Sequence, residues 1–258
     1  MDSARNDRRA GGVRPLPEMK PRARVAAVER GKDRHSARRF SPSRHLGAGP
    51  VDGVDSEAEI LKEAIGRTEG LQPWRRATHM ASGVGIAAAV HLVGLDSAVP
   101  VVGLACAAAM AVALDVVRLR SAALNTVFYR WFRALASPRE ARRPVSSTWY
   151  LIGALATVAI APPSWSVPAI LVLAVADPVA SVVGRLWGRR PLGKGSWEGS
   201  AAFYAVSVAV LIPFFGLPVA LAAGTFAAAA EVAPTGIDDN LTVPLATLLA
   251  LWVVGAPV

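Results

Sequence analysis

From Thr78 onward the chain alternates long apolar runs with short polar breaks. Seven runs are legible, at about 78–95, 98–117, 148–163, 167–184, 199–215, 217–231 and 241–256. One membrane crossing takes roughly 20 apolar residues, with a range of about 17–25, so the third, sixth and seventh runs are short for a crossing. Packed into 182 residues, the runs leave almost no polar face to meet water. The pattern therefore predicts an all-α polytopic membrane protein with about seven transmembrane helices. Segment 118–140 reads differently: Leu119, Leu124, Val127, Phe128, Trp131, Phe132 and Leu135 alternate at helical spacing with Arg118, Arg120, Asn125, Arg130 and Arg133. That spacing predicts one amphipathic helix lying in the membrane interface, with Tyr129 and Trp131 at headgroup depth. A second short amphipathic helix is expected over 56–70, carried by Ile60, Leu61, Ala64 and Ile65.

Composition sharpens the division. Charged residues are 18% of the 258, hydrophobic residues 53%, and the net charge is +9. An ordinary soluble domain carries about 25% charged residues, so a water-soluble enzyme is disfavoured, and a nucleic-acid binder of that charge would not have this hydropathy. Of the 28 Lys+Arg, 17 lie in the first 76 residues, with 11 of the 19 Asp+Glu. Residues 1–55 are rich in Arg, Pro, Gly and Ser and are expected to be disordered, because they cannot bury enough apolar surface to offset chain entropy. The chain is thus expected to divide into a basic tail, 1–70, and a membrane-embedded domain, 71–258. No apolar stretch follows the early arginines, as a secretory signal requires. The tail is either dispensable or a basic arm resting on anionic headgroups. A lone cysteine, Cys106, excludes an intramolecular disulfide and any Cys-rich zinc site.

The breaks between runs sort by charge. Arg75 and Arg76 precede the first run, and only Asp96 separates the first from the second. Arg118, Arg120, Arg130, Arg133, Arg139, Arg142 and Arg143 follow the second, and Arg185, Arg189, Arg190 and Lys194 follow the fourth. The breaks at Pro162–Ser166 and Phe215–Pro218 carry no charge. Positive-inside bias then places the N-terminus in the cytoplasm of a multi-pass inner-membrane protein and, with seven crossings, the C-terminus outside. The acidic break with Glu231, Asp238 and Asp239 falls on the same cytoplasmic side.

Ionisable groups at or inside apolar runs are costly and are functional candidates. Four clusters converge on that side. Arg75 and Arg76 serve as a positive stop, but His79, one helical turn on, is not explained by it. Asp115 and Arg118 stand three apart and can pair on a helix, with Asn125 further along. Asp177 lies inside an apolar run before Pro178, and a loop with Gly184, Gly188, Gly193, Gly195 and Gly199 follows. Glycines let backbone N–H groups approach phosphate oxygens. In the same loop Lys194 is the one lysine after Lys62, Ser196 and Glu198 flank Gly199, and Ser200 opens the next run, whose N-terminus favours an anion. Last come Glu231, Asp238, Asp239 and Asn240, hard oxygen donors suited to Mg²⁺, or a helix cap. Such equipment is that of metal-assisted phosphoryl or nucleotidyl transfer, with the second reactant drawn from the bilayer.

In order, Arg75-Arg76-Ala77-Thr78-His79, Asp115-Val116-Val117-Arg118, Asp177-Pro178-Val179-Ala180-Ser181-Val182-Val183-Gly184, Lys194-Gly195-Ser196-Trp197-Glu198-Gly199-Ser200 and Asp238-Asp239-Asn240 resemble the CTP-dependent lipid-alcohol kinases. These are dolichol kinase, phytol kinase and CTP-dependent diacylglycerol kinase, relatives of the phosphatidate cytidylyltransferases. The likeness covers roughly residues 74–245. It departs at Arg76, where relatives often have Lys. It implies transfer of the γ-phosphoryl of CTP to an isoprenoid alcohol or diacylglycerol. On that reading Asp177, Asp238 and Asp239 hold Mg²⁺, and Lys194, Arg75, Arg76 and the loop around Gly184, Ser196, Gly199 and Ser200 hold the triphosphate. Glu198 orients Lys194 or binds metal, and either Asp115 or His79 takes the alcohol proton. Two other readings stand beside it. A cytidylyltransferase would use the same nucleotide and release pyrophosphate, but its longer Lys-Asp and Asp-Arg pattern is missing. A transporter would use the carboxylates as coupling sites, but the polar residues crowd one face instead of the midplane. Acceptor identity and oligomeric state are not legible.

Overall fold

The structure, a computed structural model, describes residues 59–63, 65–66, 72–93 and 98–258. The disordered tail expected over 1–55 and the Asp96 break lie outside them. Of the short helix expected over 56–70, residues 59–63 and 65–66 are helical, with Ile60 exposed.

Apolar side chains at helical spacing, with prolines at helix starts and few polar breaks, give seven α-helices among the described residues from 72 onward: α1 (Pro73–Val93), α2 (Val99–Leu119), α3 (Ala122–Trp131), α4 (Ser146–Ile160), α5 (Pro163–Trp187), α6 (Trp197–Val232) and α7 (Asp239–Val253). A 3-10 turn, Pro138–Arg142, links α3 to α4. Among the described residues the single departure from all-α is a two-stranded hairpin, β1 (Pro191–Leu192) against β2 (Gly195–Ser196).

The α6 element is two helices. Gly216 has φ 73 and ψ 171, outside helical space, a region open to glycine and strained for other residues. The chain folds back there. A Cβ placed on Gly224 would lie 2.8 Å from Val208 Cγ2, whereas sixteen residues of straight helix would separate the two by about 24 Å. Near the other ends of the two arms, Ser200 Oγ donates to Glu231 Oε2 at 3.3 Å. The fifth and sixth runs are therefore antiparallel arms joined at the uncharged Phe215–Pro218 break.

Every apolar run forms a helix, but the expected count of about seven spans is not borne out. Among the described residues three elements are long and apolar enough to cross a membrane by length and composition: Val99–Leu119, Pro163–Trp187 and, taken over both of its arms, Trp197–Val232. The apolar helices Ser146–Ile160 and Asp239–Val253 have 15 residues each, or roughly 22 Å of rise, short of the ~30 Å hydrocarbon layer. In α1, Arg75, Arg76 and His79 occupy the first two turns. Exposed Val102, Met110, Val112, Leu114, Val116 and Val117 on α2 form an outward apolar surface of the kind lipid covers and water does not. The result is an all-α membrane-type protein.

α5 is the central helix. Ala169, Ile170, Val172, Leu173, Ala174 and Ala176 are buried, packed against Tyr150, Phe203, Leu211, Ala223, Val243 and Leu251 in one cluster and against Ala87, Val90, Leu104 and Ala154 in another. Gly153 of α4 lets α7 approach closely: a Cβ there would meet the Asn240 carbonyl oxygen at 2.1 Å. At the end remote from the charged residues, Trp165 Nε1 donates to the Pro257 carbonyl at 2.8 Å, tying the C-terminal residues to the start of α5.

The interfacial helix is shorter than the pattern predicted. α2 runs on through Leu119, and α3 starts after Ser121, whose hydroxyl accepts from Leu124 N. Trp131 is 79% exposed, as an interface residue should be, but Tyr129 is fully buried, with its phenol donating to the Ser137 carbonyl at 2.7 Å. Burial and the neighbouring Glu140 push that phenol up to about 12, so it remains a neutral donor.

Candidate active site

Hydrogen bonds draw the charged helix ends together at one end of the bundle. Arg75 Nη2, in the first turn of α1, donates to Glu140 Oε1 at 2.8 Å and to Ser146 Oγ at 2.7 Å. Asn240 Nδ2, in the first turn of α7, donates to the Ser146 carbonyl at 3.3 Å. Arg76 Nη2 donates to Ser181 Oγ of α5 at 2.8 Å. Lys194, at the tip of the β-hairpin, pairs with Asp239 Oδ1 at the start of α7. Five segments of the chain thus meet.

Asp177 and Ser181 stand one turn apart on α5 and face α1. His79 Nε2 lies 3.8 Å from Asp177 Oδ2 and 3.4 Å from the Leu173 carbonyl. Asp177 also feels the negative charges of Asp239 and Asp238 and the positive charges of Arg75 and Arg76. Glu231 feels Asp239, Asp177 and Lys194. The carboxylates therefore share one electrostatic environment, rimmed by Lys194, Arg75 and Arg76.

Asp238 is the N-cap of α7. Its Oδ1 accepts from Asn240 N at 3.1 Å and Asn240 Nδ2 at 2.6 Å. Burial raises the Asp239 carboxyl above its ordinary value, and Lys194 opposes that shift. In these contacts Asp238 and Asp239 each engage one oxygen. Among the described residues no three His, Cys, Asp or Glu side chains form a ready metal cage. Mg²⁺ is commonly held by one or two carboxylates together with substrate phosphates, and Asp177, Asp238 and Asp239 are oxygen donors of the hardness it takes.

The β-hairpin sets Lys194. Gly193, first of its two turn residues, has φ 53, the position where a tight hairpin favours glycine. A Cβ on Gly193 would also fall 2.3 Å from the Val232 carbonyl oxygen, so the turn is pressed onto the end of α6. Glu198 does not reach Lys194. Its Oε2 accepts from Arg189 N at 3.0 Å and Arg190 N at 3.5 Å, closing the 188–198 loop. Ser196 Oγ caps α6 by accepting from Gly199 N at 3.1 Å. Gly184 and Gly199 face each other: a Cβ on Gly199 would lie 3.3 Å from Gly184 Cα and 3.2 Å from the Ala180 carbonyl oxygen. These two glycines let α5 and α6 touch. Ser200 bonds Glu231.

Asp115 occupies a different place. It is buried, and its oxygens accept from Arg118 Nε at 2.7 Å, Thr148 Oγ1 at 2.6 Å and Val145 N at 3.0 Å. Arg118 Nη1 donates to Asn125 Oδ1 at 2.9 Å and to the Glu140 carbonyl at 3.0 Å, and Nη2 donates to the Arg143 carbonyl at 2.6 Å. This clasp fastens α2, α3 and the turn before α4. Both oxygens of this carboxylate are thus engaged, whereas the other candidate base, His79, stands beside Asp177. Arg75 is also spoken for by Glu140 and Ser146, so it holds the frame of the site.

Sequence reasoning missed Glu140, Ser146, Thr148 and Ser181. Glu140 is buried and forms a capping box with Ser137, a pattern legible as Ser137-Pro138-Arg139-Glu140. Ser146 and Thr148 left no sign beyond being polar at the start of an apolar run, and Ser181 stood within the Asp177–Gly184 motif without a role.

The fold and this cluster define a helical membrane-type protein with carboxylates and cations gathered at one end. Two curated proteins match the chain. It is 27% identical over 163 residues to CTP-dependent diacylglycerol kinase 1 of Schizosaccharomyces pombe, covering 54% of this chain and 74% of that protein. It is 34% identical over 107 residues to the phytol kinase of Synechocystis, covering 35% of this chain and 44% of that protein. The chain is thus similar to lipid kinases of the CTP-dependent family. No family model and no solved structure matches it.

Proposed function

We propose that the protein is a membrane lipid kinase that transfers the γ-phosphoryl group of CTP to the hydroxyl of an isoprenoid alcohol or diacylglycerol, with Mg²⁺, at the cytoplasmic face. The observation that carries this reading is the meeting of Asp177, Lys194–Asp239, Asp238 and Arg76–Ser181 at one end of the bundle. Similarity to two lipid kinases supports the reaction class, and the basic loops around this end support the cytoplasmic side.

Lys194 and Arg76 bind the triphosphate, Lys194 as a compact cation leaving Asp239 for a phosphate oxygen. Asp177 and the free oxygens of Asp238 and Asp239 hold Mg²⁺, which when bound neutralises charge on the phosphates. The alcohol oxygen attacks the γ-phosphorus in line. A bond forms from that oxygen to phosphorus, the bond to the β–γ bridging oxygen breaks, and CDP leaves. The alcohol proton passes to His79, beside Asp177. A loose transition state asks little of a base, so positioning and charge dominate.

The test is incubation of the protein in lipid with Mg²⁺, γ-labelled CTP or ATP, and dolichol, phytol, farnesol or diacylglycerol. The expected result is label in one lipid fraction from CTP. Pyrophosphate release with phosphatidic acid, and no labelled lipid, would replace kinase by cytidylyltransferase.

A further inference from the structure

Tyr150 is a buried residue of α4 that neither the sequence motifs nor the mechanism above uses. It is 4% exposed, and its phenol oxygen is buried without a hydrogen-bond partner. Its ring meets His79 edge-on, with centroids 4.5 Å apart and planes at 72°. The oxygen fits into the seam between α1 and α5: a Cβ on Gly83 would lie 1.9 Å from it and 2.5 Å from Ala174 Cβ. Gly83 stands one turn after His79, and Ala174 three residues before Asp177.

Two costs are borne for this oxygen. A buried hydroxyl without a partner is unfavourable, and phenylalanine would fill the same volume without it. Glycine inside a helix is also unfavourable, and the missing Cβ of Gly83 is the space that the oxygen takes. Orphaned buried donors of this kind call for an explanation, and a site for a ligand is one. The neighbours name the ligand. The phenol sits beside His79, which takes the alcohol proton, and within the field of Asp177.

We propose that the Tyr150 phenol donates a hydrogen bond to the hydroxyl oxygen of the acceptor lipid, holding that oxygen between His79 and Asp177. The inference rests on the kinase reading above and adds the residue that recognises the acceptor. One lone pair of the alcohol oxygen accepts from Tyr150, its proton goes to His79, and the second lone pair faces the γ-phosphorus. The close packing of α1 on α5 covers the phenol, so Tyr150 meets the acceptor when α1 shifts along α5.

The test compares wild type with Tyr150→Phe in liposomes, using Mg²⁺, γ-labelled CTP and either phytol or dioctanoylglycerol, with thermal unfolding measured alongside. The expected result is a kcat/KM for the acceptor at least about 10-fold lower, a KM for CTP within 2-fold of wild type, and a Tm equal to or above wild type. A variant with wild-type acceptor kinetics overturns the inference. So does a fall of Tm together with activity, which would give the hydroxyl a partner inside the fold. If wild type labels neither lipid, the kinase reading itself fails and this inference falls with it. If wild type labels one and Tyr150→Phe labels it equally, only the inference falls.

Discussion

Asp177 and Asp115 look alike in the sequence: each is a carboxylate within an apolar run that ends at an arginine. Their surroundings separate them. Asp115 has both oxygens filled by Arg118, Thr148 and Val145 N, whereas Asp177 meets only the distant edge of His79 and shares its field with Asp238 and Asp239. The two substitutions therefore fail differently. Asp177→Asn should keep thermal stability and lose at least about 10²-fold in turnover, read by comparing Tm with initial rate. Asp115→Ala leaves Arg118 buried beside a lost partner, which costs about 3 kcal/mol or more. It should lower Tm while the fraction still folded keeps near-normal KM for CTP. An Asp115→Ala protein with wild-type Tm and no turnover would restore Asp115 to the chemistry. The i,i+3 pairing of Asp115 with Arg118 was legible in the sequence, but its saturation was not, because Thr148 and Val145 arrive from 30 residues or more away.

At the scale of elements, the breaks between apolar runs were read well where punctuation is strong. Pro162 and Gly216 mark turns that the structure contains, and the uncharged Phe215–Pro218 break is the fold-back of α6. The β-hairpin was not read, since strands of two residues are too short for an alternating pattern. Tyr129 was misplaced for a related reason: helical spacing places it beside Trp131, and only the 3-10 turn after α3 supplies the Ser137 carbonyl that draws it inside. Close approach of elements gives a prediction here. Gly153→Ala puts a methyl 2.1 Å from the Asn240 carbonyl, forces α4 and α7 apart, and should destabilise by about 1–3 kcal/mol. Since α7 carries Asp238 and Asp239, KM for CTP should rise as well. Unchanged unfolding and unchanged KM would mean that α7 is not anchored there. Gly193→Ala should act on the hairpin in the same way and displace Lys194, with loss of turnover exceeding any loss of Tm.

For the whole molecule, the charge sorting of the breaks foretold that the polar helix ends would gather at one end, and the hydrogen bonds among Arg75, Ser146, Asn240, Lys194 and Asp239 bear that out. The number of crossings was read too high, because apolar composition marks a helix without fixing whether its length matches the bilayer. Sidedness follows from the function proposed, since a nucleotide must reach Lys194 from the cytoplasm. With Cys106 replaced by serine, Arg189→Cys should react with a membrane-impermeant thiol reagent only from the cytoplasmic side, and Ser164→Cys only from the other. Labelling of both from one side would contradict the orientation. The central claim is that these gathered helix ends form a phosphoryl-transfer site. The most direct measurement is the rate at which γ-labelled CTP labels a lipid alcohol or diacylglycerol in liposomes holding wild type or Lys194→Ala, with insertion verified for both. The account predicts a labelled lipid with wild type and a loss of at least about 10²-fold in the variant. No labelled lipid with wild type, or equal labelling by Lys194→Ala, would contradict it.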